Sequence, residues 1–372
     1  MSELLLAVPT LLGTESIVAN EIRRLGYETA QVVDGRVTFY GDEYAICRAN
    51  INLRSAERVM ILLSEYKATS FEMLFDGISA IPWENYIGKT DAFPVNGYSI
   101  KSKLYSVPDC QSIIKKAIVK RLGAKYGIKW FDESGAVFPV RFSVMKDKVS
   151  VFLDTSGASL YKRGYREKGV AAPLRETLAY TMIDISRWRG DRPFADPFCG
   201  SGTIAIEAAM LAARTAPGLN RTFAAQQWGN FVPSHLWNEA RTEALDEIQY
   251  NVPTEIFASD IDPQAIEIAR DNAAKAGVAD KIKFSVCDMR HAQPFSDRGV
   301  IVCNPPYGER LMDEKECEKL YRDMKVKFAE FPMAKKYILT SNENFERLFG
   351  KADKRRKVYN GMLKCYIYQY FK

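Results

Sequence analysis

From residue 193 onward the chain repeats one pattern: a short apolar run, a loop holding aspartate, glycine or proline, then a stretch with helical periodicity. The runs read "PFADPFCGSGTIAIEAAMLAAR", "EIFASDIDPQAIEIARDNAAKAG", "IKFSVCDM", "GVIVCNPPYG" and "KKYILTSN". Strands separated by helices do not close as hairpins, so this alternation specifies an open, mostly parallel sheet with helices on both faces. Ligands of such sheets sit beyond the carboxyl ends of the strands, which directs attention to the loops.

In "DPFCGSGTIA", residues 196–205, Gly200, Gly202 and Ala205 satisfy the spacing G-x-G-x-x-G/A, where glycines let the backbone turn tightly and approach a ligand. A dinucleotide site would place an acid about 20 residues further on, at the end of the next strand. Here that strand, "IFASD", arrives only at Asp260, after a long insertion. Asp196, just before the glycines, would repel a pyrophosphate and suits a cationic ligand instead. The loop in "VCNPPYGERL", residues 302–311, stops its strand on two prolines, which remove two backbone donors and fix two φ angles. Asn304 is pushed into extended backbone by the proline that follows it. Taken alone this is a strand terminator. In company with the glycine loop it reads as a stiff platform that points one amide, one carbonyl and one aromatic ring into a cleft.

At 372 residues the chain is long enough to bury two or three cores. Its first half alternates shorter elements: strand "ELLLAVP", a helix capped by Thr14 and running to about residue 25, strand "GRVTFYG", then a helix and a strand near 58–66. A helix capped by Ser70, strand "GYSIKSKLY", the amphipathic helix "CQSIIKKAIVKRLGAKYG" and strands "AVFPVRFSVMK" and "KVSVFLD" complete it. Between 101 and 129 the cations Lys101, Lys103, Lys115, Lys116, Lys120, Arg121, Lys125 and Lys129 stand against one acid, Asp109. Such a run is a solvated helix face or a surface for a phosphate backbone, and Tyr98, Tyr105 and Tyr126 among the charges favour the second. The segment "LDTSGASLYKRGYREKGVAAPLRETLA", 153–179, is the seam between the halves, an ordered basic linker with Lys162, Arg163, Arg166 and Lys168.

Seven cysteines form no CxxC pair, and His235 and His291 are the only histidines, so neither a disulfide framework nor a zinc site is expected. The start "MSELLLAVPT" lacks a basic region and meets Pro9 early, which argues against a signal peptide. No apolar run reaches the length of a membrane span, and a cytoplasmic location is the simplest expectation. The net charge of +6 permits a nucleic-acid partner without requiring one.

The four loops together, "DPFCGSG", "ASDIDP", "VCDM" and "NPPY", resemble in order the motifs of class I S-adenosylmethionine-dependent methyltransferases. The resemblance implies a Rossmann-like catalytic domain over residues 173–372 with S-adenosylmethionine as cofactor, S-adenosylhomocysteine as product and no metal. It places Asp196, Phe198, Gly200, Ser201, Gly202, Asp260, Ile261, Asp288, Met289 and Asn304 around the cofactor, Asp260 on the ribose hydroxyls and Asp288 on the adenine amino group. Catalysis falls to Asn304, Pro305, Pro306 and Tyr307. In that reading the Asn304 side-chain oxygen and the Pro305 carbonyl accept hydrogen bonds from an exocyclic amine, and Tyr307 stacks on the flipped base.

The front half, through "NINLRSAERVMILL" and the seam, together with the terminal "KRRKVYNGMLKCYIYQY", resembles bacterial 23S ribosomal RNA guanine-N2 methyltransferases. These carry a small ferredoxin-like piece and an RNA-binding THUMP domain. The implied division is a ferredoxin-like piece at 1–44, THUMP at 45–160, a basic linker at 161–172 and the methyltransferase domain at 173–372, so the α/β catalytic domain follows α+β units. RNA contacts are then expected from Lys115, Lys116, Lys120, Arg121, Lys162, Arg163 and Arg166, on 23S rRNA or a ribosome assembly intermediate. The resemblance covers essentially the whole chain and implies a single activity. Adenine-N6 methylation of DNA or RNA stays open, because "NPPY" does not distinguish the bases. A non-catalytic RNA-binding protein with a degenerate methyltransferase domain competes with both, as does, more remotely, a nicotinamide oxidoreductase. The oligomeric state is not legible in the sequence.

Overall fold

The computed structural model describes residues 3–166, 174–293, 298–307 and 314–371. The front half comprises β1 (Leu4–Pro9), α1 (Glu15–Arg24), β2 (Thr29–Val33), β3 (Arg36–Gly41), α2 (Glu43–Asn52), β4 (Met60–Lys67) and α3 (Phe71–Ala80). It continues with β5 (Val95–Ile100), α4 (Val107–Tyr126), β6 (Val140–Met145) and β7 (Lys148–Asp154). Local chemistry sets several boundaries. Asp42 and Ser70 accept from the backbone of Ala45 and Met73 and so cap α2 and α3, while Gly127, at φ +68°, ends α4 in the left-handed region. Thr14 departs from expectation. It precedes α1, but its hydroxyl donates backward to the Leu11 carbonyl at 2.7 Å and caps nothing.

These strands form one seven-stranded sheet in the order β2-β3-β1-β4-β7-β6-β5, parallel only between β5 and β6. Residues of α1, α2, α3 and α4 share one apolar core with its inward side chains. The opposite face carries only a small cluster of Ala7, Met60 and Phe152 among the described residues. The expected boundary at 44/45 falls inside α2, and the sheet runs on across it without a break.

The back half holds α5 (Glu176–Ser186), β8 (Phe194–Asp196), α6 (Thr203–Ala212), α7 (Ser234–Asp246), β9 (Ile256–Asp260), α8 (Pro263–Lys275), β10 (Ile282–Val286) and β11 (Val300–Cys303). After these come α9 (Glu314–Ala329), β12 (Lys335–Thr340), α10 (Phe345–Phe349), β13 (Lys354–Asn360) and β14 (Leu363–Tyr370). Its sheet runs β10-β9-β8-β11-β12-β14-β13, parallel through β12, with β14 antiparallel to both β12 and β13. The alternation in the sequence is therefore the doubly wound sheet it specified, and the strand order reverses direction between β8 and β11.

The insertion between α6 and β9 packs on the other half. Trp228, Val232, Trp237, Ala240 and Ala244 join the front core; Trp228 stacks on Phe138 at 4.5 Å, and Arg48 of α2 grips Glu243 of α7 through two nitrogens. The halves are thus joined by buried apolar surface as well as by the seam.

Candidate active site

Asp196, Asp260 and Asn304 end or follow β8, β9 and β11, which are neighbours in the sheet. Asp288 follows β10, one strand further out. All four loops therefore open at one carboxyl edge, across the point where the strand order reverses, which is where a ligand crevice forms in this architecture. Hydrogen bonds hold the loops in place. The Cys199 amide donates to the Ser259 carbonyl at 3.0 Å, the Gly200 amide to Asp260 Oδ2 at 2.9 Å, and Asn272 of α8 to the Ser201 carbonyl at 3.0 Å. Gly200 and Gly202 take φ of +50° and +85°, and a Cβ on Gly202 would sit 3.0 Å from that of Ala269, so the turn needs glycine on both counts.

Asp196 is buried. One oxygen accepts from the Phe198 amide at 3.3 Å, and Oδ2 has no partner among the described residues. Burial, reinforced by the nearby Asp260 charge, pushes its carboxyl well above the usual range. A buried acid with one idle oxygen awaits a cationic donor, and this fits the cofactor implied by the loops. Asp260 accepts from the amides of Gly200 and Asp262, one on each oxygen, and keeps lone pairs for further donors. Ile261 beside it is exposed and Met289 is buried. Asp288 is engaged by Arg290, whose Nε reaches both carboxylate oxygens; that partner holds the acid below its usual range. To serve an adenine amino group, it would have to release Arg290.

In the proline loop, Asn304 Oδ1 is buried and has no partner among the described residues. The Pro306 carbonyl accepts from the Tyr321 hydroxyl at 3.1 Å, and Tyr321 in turn contacts Thr340, so the backbone behind Asn304 is braced from α9 and β12. Tyr307 is half-buried, and its hydroxyl accepts from Asn360 Nδ2 at 3.2 Å. Sequence reasoning misses Tyr321 and Asn360; their roles depend on chain crossings that no local pattern announces. Cys303 is fully buried and its thiol is pushed well up by burial, which leaves it inert.

The seven expected RNA contacts divide. Lys116, Lys120 and Lys162 are at least partly open to solvent. Lys115 pairs with Glu133, and Arg121 grips Glu84 through two nitrogens at 2.7 and 2.8 Å while also donating to the Ser79 carbonyl. Both cations are engaged by acids from other elements, which the run itself does not contain. Arg163 is a correction: only 3% exposed, it pairs with Glu207 of α6 and donates to the carbonyls of Leu160 and Arg54, so it is a structural ion pair. Arg166 likewise turns inward, onto Thr203 at 2.6 Å and Glu176. Lys168 lies outside the described residues. A separate cleft of about 310 Å³, lined by Arg24, Arg48, Arg54 and Glu243, opens at the far end of α6 from the glycine loop.

Comparisons with known proteins agree with this layout. Residues 163–369 match the family described as RMKL-like, methyltransferase domain, residues 6–60 the RlmL ferredoxin-like domain, and residues 68–154 the THUMP domain. The chain is 47% identical over 97% of its length to YpsC of Bacillus subtilis (strain 168), provisionally named an RNA methyltransferase, and covers 94% of that protein. It is 35% identical over 98% of its length to the ribosomal RNA large subunit methyltransferase K/L of Psychromonas ingrahamii (strain DSM 17664 / CCUG 51855 / 37), of which it spans only 49%. A crystal structure from Listeria monocytogenes str. 4b F2365, described as a predicted N6-adenine-specific DNA methylase, superposes with a TM-score of 0.93 at 45% identity, covering all of this chain and 97% of that one. SMU.472, a methyltransferase by provisional name solved in complex with SAH, superposes with the same TM-score of 0.93 at 41% identity, covering all of this chain and 98% of its own. Since the match to the catalytic family takes in more than half of the residues, the chain belongs to the RMKL-like methyltransferase family, with an RlmL ferredoxin-like domain and a THUMP domain ahead of its catalytic domain.

Proposed function

We propose that this protein methylates the exocyclic N2 amine of a guanine in RNA, with 23S ribosomal RNA or an assembly intermediate as substrate, in the cytoplasm. The cofactor is S-adenosylmethionine, which supplies an electrophilic methyl group when bound; Asp196, Gly200, Gly202 and Asp260 are the residues that hold it. The observation that carries the reading is the idle, buried oxygen of Asn304 on the same sheet edge as the equally idle oxygen of Asp196. A base amine is a poor nucleophile because its lone pair is delocalised into the ring. Asn304 Oδ1 accepts one of its hydrogens and draws the nitrogen toward a tetrahedral shape, and two prolines together with Tyr321 keep that acceptor still. The Tyr307 ring stacks on the base once it has left its helix.

The choice of guanine in ribosomal RNA is supported by the THUMP match and by the name of the K/L relative. Adenine N6 is the second reading, favoured by the description of the Listeria structure. The two part in one assay. Radiolabelled S-adenosylmethionine is incubated with ribosomal RNA from a strain lacking the protein and, in parallel, with genomic DNA of that strain. Label recovered as N2-methylguanosine in the RNA supports the proposal; label recovered as N6-methyladenine in either nucleic acid replaces it with the rival.

A further inference from the structure

The basic segment "KRRKVYNGMLKCYIYQY" forms β13 and β14, and its apex lies next to the site. Asn360 and Leu363 face each other across a two-residue turn, Gly361-Met362, in which Gly361 takes φ +64°. Glycine first in such a turn is the tight, twist-matched hairpin connection, so the apex is rigid. Met362 is 100% exposed and Leu363 is 48% exposed, an apolar tip on a hairpin whose first strand begins with four cations. Asn360, two residues before Met362, is the residue that donates to the Tyr307 hydroxyl. Strand alternation puts Leu363 on the same side as Asn360, the side that faces Tyr307. Lys354 and Lys357 are exposed and carry no ion pair among the described residues, whereas Lys364 and Arg355 pair with Glu343 and Glu346. The charges on β13 also shield a sheet edge from pairing, but an unprotected methionine at the apex contributes nothing to that end.

We propose that the Gly361-Met362 apex is a wedge for base-paired RNA: as the target base leaves its stack for Tyr307, the Met362 side chain fills the gap it leaves. Apolar side chains that enter between bases hold a helix open in this manner, and Lys357, four residues back along β13 from the apex, suits a phosphate further along the same RNA. The proposal rests on the RNA methyltransferase reading and specifies the substrate further, as a nucleotide within a helix.

The test uses two RNA oligonucleotides carrying the nucleotide that the parent protein methylates, one annealed to its complement and one single-stranded. Single-turnover methylation is measured for the parent, Met362→Gly and Met362→Leu. Loss of the wedge should slow Met362→Gly about 10-fold or more on the paired RNA, since the unstacked gap is left unfilled, with less than about a twofold change on the single strand. Met362→Leu, which restores apolar bulk, should return the paired rate to near that of the parent. Equal losses on both RNAs, no loss on the paired one, or a parent that methylates only the single strand would each overturn the wedge. If the parent yields no N2-methylguanosine in ribosomal RNA, so that no such nucleotide can be chosen, the functional reading falls first, and the wedge with it.

Discussion

Asp196 and Tyr307 show what single residues commit the fold to. The unfolded chain gives up the Asp196 proton in the ordinary carboxylate range, whereas the folded protein retains it to higher pH because the group is buried. The native state therefore binds more protons, and this group's contribution to stability falls as pH rises past the ordinary range. Asp196→Asn should accordingly raise the melting temperature of the cofactor-free protein at pH 8, by roughly 1 to 3 °C, while abolishing most of the further rise produced by S-adenosylhomocysteine. Thermal unfolding with and without that ligand checks both signs, and an unchanged ligand-induced rise would remove Asp196 from the site. At Tyr307 the Asn360 bond fixes the ring, so the hydroxyl matters a little and the ring a great deal. Single-turnover rates should fall about fivefold for Tyr307→Phe, the loss of one ordinary hydrogen bond. Tyr307→Ala should cost more, by about 1 to 3 kcal/mol of stacking. Equal damage from both would assign the role to the hydroxyl.

Among the elements, α4 is the helix that its sequence pattern specifies, but its cations are not equivalent. Lys115 and Arg121 are taken by Glu133 and Glu84, which leaves Lys116, Lys120 and Lys125 open to solvent, the first two of them among the expected RNA contacts. Replacing those two with alanine should weaken RNA binding and lower the salt slope by roughly 0.7 to 0.9 for each lost phosphate contact, as measured by titration at several salt concentrations. An unchanged slope would return α4 to a solvated face. The loops of the catalytic sheet are legible because each follows a strand whose apolar run ends on a distinctive residue: Asp196, Asp260, Asp288 or Asn304. β2 is not, since Thr29–Val33 is a partly exposed edge strand without a strong alternation, and Arg163 misleads because its partner Glu207 lies in another element. A charged residue announces its charge in the sequence, but not the acid that will meet it.

On the scale of the whole molecule, the insertion between α6 and β9 matters most. Its tryptophans complete the front core, so the THUMP-bearing half is held against the catalytic half by packing, a relation that alternating patterns in either half do not reveal. A fixed relation of this kind suits a protein that recognises RNA with one half and modifies it with the other. Amine methylation of guanine through Asn304 can be checked in the cell by mass spectrometry of nucleosides from the ribosomal RNA of a strain lacking the protein, complemented with either the parent chain or Asn304→Ala. N2-methylguanosine should fall in the deletion strain, return with the parent and stay low with Asn304→Ala, whose single-turnover rate should be down ~10² to 10³-fold while its cofactor binding holds. Full restoration of N2-methylguanosine by Asn304→Ala would remove Asn304 from the chemistry, and a deletion strain that lacks only a methylated adenine would remove guanine as the target.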